Sequence, residues 1–462
     1  MRYPAILFFL SAIIFASSCS KKDDTPPTPT GPVTQQEINN WVMDSMRIFY
    51  LWNNQLPNRP DNSLETRTFF NTIKSGEDKF SMIYNPNDPS TIENDVLYKF
   101  GLDFSIVNWT SAPGSSVIGV VKVVAPNSPA ANAGFKRGNY FTRINGTVLT
   151  SANAVQLSEQ LKKAASGSIT KAIVNSGTVT EDTTITLQEG YVSENPLYMT
   201  NVFQQGAKKA GYIFYNAFTD RYNNYVLTAF QEFKSKNVTD LIIDMRYNVG
   251  GSLAAAAMMT ILTAPNINAQ SPFVKYTDNR GSSRIIDFST ALAYPESGGP
   301  INFNNLSSGR LMLPRVYIIS GRQTISAAEV LINNLKPYAQ VVQIGQTTAG
   351  KDKGAIIIKD MRTPQRIPWI LLPLTYRLSN ANGDGNYTQG ISPQYTIDEM
   401  SAQPLQEIGS SQDPLIAKAL ALISGNGRAI PETNTTTNTI YDSRMGIANT
   451  SVVILPRTDM IK

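Results

Sequence analysis

The fold is decided at Leu241-Ile242-Ile243-Asp244-Met245-Arg246-Tyr247-Asn248-Val249-Gly250-Gly251. The first residues form a short unbroken apolar run, the pattern of a strand buried on both faces. A polar turn with two adjacent glycines follows, and residues 252–262 are rich in Ala and Met, as a buried helix would be. Amides freed by glycines at a helix entrance point toward negative charge, so Gly250 and Gly251 are candidate oxyanion donors. A Gly-Gly pair after a strand is also an ordinary turn.

Working outward, residues 211–216 read as a strand and 222–236 as a helix with Val226, Phe230 and Phe233 on one face. Residues 316–320, 326–338 and 341–344 repeat the rhythm as strand, helix and strand. This alternation predicts a layered α/β core over 196–425. Before it, residues 36–95 are mainly helical, read either as a small cap or dimerisation domain or as an extension with no role of its own. Residues 96–195 change to β-branched strands at 117–124 and 140–144, turns at Gly138-Asn139 and Asn145-Gly146, and a helix at 152–164. Residues 426–462 read as a polar linker and a tail.

Composition narrows the chemistry. The 462 residues are 42% hydrophobic and 16% charged, with a net charge of +5, and no long basic run suggests a nucleic-acid partner. Histidine is absent, which excludes a Ser-His-Asp triad, a Cys-His pair and an HExxH zinc site. A single cysteine, Cys19, excludes an intrachain disulfide and a cysteine zinc cluster. Any proton shuttle must be Lys, Asp, Glu or Tyr. Residues 1–18 combine Arg2, an apolar stretch and a small-residue exit, the pattern of a secretory signal. Residues 19–35 are Pro/Thr-rich, an extended tether.

Two further segments are candidates for chemistry. In Gly321-Arg322-Gln323-Thr324-Ile325-Ser326-Ala327-Ala328-Glu329, Ser-x-x-Glu before an apolar helix is a capping box. The same placement suits a nucleophile, because a hydroxyl at a helix start lies in a positive field. The loop Thr347-Thr348-Ala349-Gly350-Lys351-Asp352-Lys353-Gly354 offers a lysine that, taken alone, is a solvated surface charge.

Together the three segments resemble the tail-specific, or C-terminal-processing, serine peptidases. Those carry Asp-x-Arg-x-Asn-x-Gly-Gly, matched by Asp244, Arg246, Asn248, Gly250 and Gly251, then a Ser-Ala-Ser-Ala-Ser-Glu-like helix start and a Gly-Lys loop. The resemblance implies a ClpP/crotonase-like α/β core with an inserted PDZ-like domain. It implies Ser326 as nucleophile, Lys351 as general base, and backbone amides of Gly250, Gly251 and Ala327 as the oxyanion site. Asp244, Arg246, Asn248 and Glu329 would support them. Phe100-Gly101-Leu102 would form a loop that captures a peptide carboxylate, so substrates would be proteins or peptides bound through their C-termini. No cofactor or metal is implied, and a homodimer is a further partner to consider. Ala16-Ser17-Ser18-Cys19 looks like a lipobox, which implies a lipid-anchored protein of the bacterial cell envelope, at the outer membrane or cell surface. The family's orienting Gln, four residues after the lysine, is Ala355 here. A chain that binds peptides without cutting them, or an envelope scaffold, is the alternative. A working Lys351 must be desolvated, so the carboxylate of Asp352 is expected to point away from it.

Overall fold

The computed structural model describes residues 31–93, 95–109, 117–426 and 439–445. The 1–18 signal, Cys19, most of the tether and most of the 426–462 stretch lie outside the described residues.

The core is a six-stranded sheet in the order Tyr395–Thr396, Gln340–Gly345, Arg315–Ser320, Asp240–Asp244, Lys208–Tyr215, Leu197–Gln205. Neighbours are parallel except for the last two strands, which form a hairpin. Successive side chains of a strand face opposite ways. Ile213, Leu241, Ile243, Val316 and Ile318 therefore meet the helices Asn223–Ser235, Leu253–Thr263 and Ala327–Leu335 on one face. Tyr212, Phe214, Ile242, Tyr317 and Ile319 meet the helix Pro414–Ile423 on the other. Covering on both faces explains why these strands read as continuous apolar runs. The fold class is α/β, with the strands and helices of the core where the alternation predicts them, to within a few residues at each end.

The N-terminal helices Gln35–Phe49 and Thr66–Ile73 bury no core of their own. Val42, Met46, Phe69 and Phe70 pack with Ile356, Ile358, Ile367 and Leu371, and the strand Met82–Tyr84 pairs with Ile370–Leu372. Between them and the core sheet lies an inserted β-rich unit. Its sheet runs Thr439–Asp442, Leu102–Asn108, Val117–Val124, Tyr140–Ile144, Ser166–Asn175, Thr178–Gln188, with Thr147–Val148 paired to Tyr140–Ile144. The helix Ala154–Lys163 lays Leu157 and Leu161 on Phe104 and Phe141. Its first strand in this order comes from the stretch read as linker and tail. The run Thr439-Ile440-Tyr441 is β-branched and aromatic, which suits a strand, but nothing local in the sequence names its partner. Among the described residues no helix is long and apolar enough to cross a membrane.

A buried ionic cluster joins the inserted unit to the core. Arg246 donates to Asp244 at 2.7 and 3.0 Å, to Asp413 at 2.8 and 3.1 Å and to Glu399 at 3.0 Å. From the inserted unit, Arg137 reaches the same Glu399 at 3.0 Å and the Tyr247 hydroxyl at 2.7 Å. Arg246 and Asp244 thus act as a structural brace, since the guanidinium is spent on three carboxylates. Burial pushes the Glu399 carboxyl up, but Arg137 and Arg246 overcome it and hold its pKa down to about 2, below the ordinary 4.5. A depressed carboxyl contributes stability that is present above its unfolded pKa and lost as pH falls through the folded one. Calorimetry should therefore show the thermal midpoint falling between pH 4.5 and about 2, and Glu399→Gln should flatten that fall.

Candidate active site

Three adjacent parallel strands, Asp240–Asp244, Arg315–Ser320 and Gln340–Gly345, end side by side, and each runs directly into one of the three segments singled out above. Loops beyond the carboxyl ends of parallel strands are where α/β folds build sites. Backbone bonds stitch the three together: Ile325 N donates to Asn248 O at 3.1 Å, and Ala349 N to Thr324 O at 3.0 Å. The Thr324 hydroxyl donates to Met245 O at 2.7 Å.

Ser326 stands at the N-cap of Ala327–Leu335 with φ 59° and ψ −118°, a left-handed conformation and not the extended one of an ordinary cap. Such a backbone persists only when its surroundings impose it. Glu329 is the group that does so. Its Oε2 accepts from Ser326 N at 2.9 Å, as a capping box requires, and from Lys351 N at 2.8 Å. Two bonds of that length to one oxygen leave these amide nitrogens no more than about 6 Å apart. Its Oε1 accepts from Gly350 N at 2.7 Å and the Thr348 hydroxyl at 2.5 Å. The capping reading of Ser-x-x-Glu and the site reading are therefore one arrangement.

Ser326 and Lys351 are each 1% exposed and Glu329 is 0% exposed. Lys351 is no surface charge. Burial lowers its pKa from 10.5 to about 7, against the opposing fields of Glu329, Asp78 and Glu296. Burial raises Glu329 from 4.5 to about 7, against the four hydrogen bonds it accepts. The two groups titrate in the same range and so as a pair. Asp352 turns its carboxylate to Lys353 Nζ at 2.5 Å, which keeps it off Lys351 as expected. The Lys351 amine lies 5.3 Å over the Phe80 ring. Phe80 also packs on the Val249 and Ile325 pair, as Ala349 does, so the N-terminal region walls the site. Ala355, in the place of the expected Gln, is buried among the apolar side chains under the N-terminal helices.

The oxyanion assignment needs one correction. Gly250 N donates to Asn248 Oδ1 at 2.8 Å, so that amide is engaged by the side chain of the motif's own Asn. Phe218 N bonds Gly250 O and Ser252 N bonds Phe218 O, which turns the Gly251 amide to the other side. Among the described residues no hydrogen bond occupies the Gly251 or Ala327 amide. Gly251 has φ +130°, and a Cβ there would stand 2.1 Å from Phe218 O.

A second correction concerns Phe100, Gly101 and Leu102. They are not an open anion loop. Phe100 ends a short helix, Val96–Phe100, which Gly101 caps in the left-handed region at φ 78°. Lys99 N donates to Asp95 O at 3.0 Å and Gly101 N to Leu97 O at 2.8 Å, so these amides are taken up by the helix. Leu102 begins the strand Leu102–Asn108. Sequence reasoning missed Phe80 and Thr348, which no local pattern marks. Among the described residues no group of three or more Cys, Asp or Glu is placed to hold a metal ion.

The description "Peptidase family S41" matches residues 209–395, and "Peptidase S41 N-terminal domain" matches residues 37–82. The carboxy-terminal processing protease CtpB of Bacillus subtilis is 24% identical over 341 residues, 70% of this chain and 64% of its own length. The chloroplastic C-terminal processing peptidase of Tetradesmus obliquus is 26% identical over 247 residues, 52% of this chain and 49% of its own. The chain thus spans about half to two thirds of the length of these relatives. A solved Bacteroides fragilis structure described as an S41 protease superposes with a TM-score of 0.67 at 24% identity, covering 86% of this chain and 99% of that one.

Removing the Glu329 carboxylate would strand four buried donors. Glu329→Ala should lower the unfolding free energy by roughly 3–5 kcal/mol in denaturant titrations. Gly251→Ala should cost at least ~2 kcal/mol, because the turn cannot keep both its φ and its distance from Phe218.

Proposed function

Because the chain belongs to peptidase family S41, we propose that it is a serine endopeptidase of the C-terminal-processing type, with Ser326 as nucleophile and Lys351 as general base. The observation that carries this reading is a fully buried lysine with its pKa near 7, on a loop tied through Glu329 to the serine's own amide. Holding an amine near 7, well below its ordinary 10.5, takes a strong selective destabilisation of the ammonium. A surface lysine needs no such environment. A general base does.

In the proposed reaction neutral Lys351 Nζ takes the Ser326 Oγ proton as Oγ attacks the peptide carbonyl carbon. The carbonyl oxygen becomes an oxyanion held by the amides of Gly251 and Ala327. As the C–N bond breaks, the Lys351 ammonium protonates the leaving amine. Lys351 then takes a proton from the water that attacks the ester carbonyl, and returns it to Ser326 Oγ as the C–O bond breaks and the acyl group leaves as a carboxylic acid. Substrates are proteins or peptides. Further parts of the reading are export and lipid anchoring at Cys19 in the cell envelope. Cys19→Ala should abolish incorporation of labelled fatty acid. If it does not, the anchor assignment fails.

Ser326→Ala and Lys351→Ala should each reduce cleavage of an unfolded protein at least about a thousandfold. The base works deprotonated, so kcat/KM should rise with pH through about 7. The rise should be shallower than for one group, because Glu329 titrates with it. A non-cutting peptide binder would leave Ser326 as a helix cap, consistent with Ala355 in place of the orienting Gln. Labelling of Ser326 by a fluorophosphonate at neutral pH separates the two.

A further inference from the structure

The edge of the inserted sheet is filled by the chain itself. Thr439–Asp442 runs antiparallel to Leu102–Asn108, with Asp442 opposite Ser105, Tyr441 opposite Ile106 and Thr439 opposite Val107. It lies beside the helix Ala154–Lys163, and the Tyr441 hydroxyl donates to Glu159 on that helix at 2.8 Å. The Tyr441 ring lies 6.0 Å from that of Phe104, and Ile440 packs on the same cluster. A strand added at a sheet edge beside a helix is how extended peptides are captured: main-chain bonds hold any sequence, and side-chain contacts select one.

The side chains here are selected. Asp442 accepts from the Ser105 hydroxyl and from Lys122 Nζ at 3.1 Å. The Ser443 hydroxyl donates to Asp103 at 2.7 Å and accepts from Phe104 N at 3.0 Å, while Ser443 N donates to Phe104 O at 2.9 Å. Arg444, fully buried, pairs with Asp95 at 3.0 Å. Asp95 is also the N-cap of the Val96–Phe100 helix. In the sequence further residues follow Arg444, so the bound segment is an internal peptide with no terminal carboxylate.

We infer that the Leu102–Asn108 edge is a peptide-binding site whose resident ligand is the chain's own Thr439–Arg444 segment, and that an extended peptide of the pattern aromatic-acidic-hydroxyl-basic enters by displacing it. The inference rests on the inserted unit being a peptide-binding module, and not on the Ser326–Lys351 chemistry. Binding can be read without hydrolysis, so either can fail alone.

The test uses a fluorescein-labelled peptide of residues 437–446 and anisotropy. A tethered competitor acts at a millimolar effective concentration, so the full chain should bind the peptide at least about tenfold more weakly than a chain ending at Gly425. A peptide with both Tyr441→Ala and Arg444→Ala should lose affinity for the shortened chain. Equal affinity of the two chains, or no binding to a shortened chain whose circular dichroism is native, overturns the inference. If the shortened chain does not fold, the full chain carrying Tyr441→Ala and Arg444→Ala takes its place. It should bind the native-sequence peptide more tightly than the parent, with faster hydrogen exchange at the Phe104 amide. Equal affinity and unchanged exchange overturn the inference.

Discussion

The site depends on one carboxylate. Glu329 takes four donors from two segments that end different strands, and in doing so fixes both the left-handed turn at Ser326 and the course of the lysine loop. Its burial also sets the electrostatics of the arrangement. An exposed glutamate would stay charged and favour the protonated form of Lys351. Buried, it moves toward neutrality as the lysine does, so neither group fixes the other in its ionised form. Thr348 extends the same lock outward, since its hydroxyl also accepts from Ile391 N at 2.7 Å. The closing segment around Ile391 is thereby tied to the lysine loop.

Much of the core was legible because its signals are local. The apolar runs at 241–243 and 316–319, the Ser-x-x-Glu helix start and the glycine turn each declare their structure within a few residues. Asn248 could be placed in the motif, but what it does there could not. Its side chain occupies the Gly250 amide, a bond that depends on how the backbone turns between the two positions. Glu329 could be read as a cap from its spacing to Ser326. Its other three partners lie 19 to 22 residues downstream and show no pattern of their own. Phe80 reaches the site from another part of the chain altogether, by packing.

The same logic explains the misreading at Phe100-Gly101-Leu102. A glycine between apolar residues suits an anion loop and equally the left-handed end of a helix. Asp95, which accepts from Leu97 N at 2.8 Å, starts that helix and so decides the matter. Arg246 illustrates the reverse case. Its place in the motif was legible, but its partners Asp413 and Glu399 come from far along the chain. A buried guanidinium needs such partners wherever they come from.

The outer strand of the inserted sheet also sets an order of events. Ser105 and Asp442 touch across 337 positions of sequence. At roughly 5–20 residues added per second, the Leu102–Asn108 edge is made and then waits on the order of half a minute for its neighbour to be synthesised. An open edge of that kind is a template for pairing with other chains. The unit can therefore collapse early around Phe104 and Phe141, yet it is sealed against misassembly only when Thr439–Asp442 arrives. A chain interrupted before that point carries the three loop segments of the candidate site beside an unprotected edge, which makes the closing strand a guard against misassembly as well as a piece of structure.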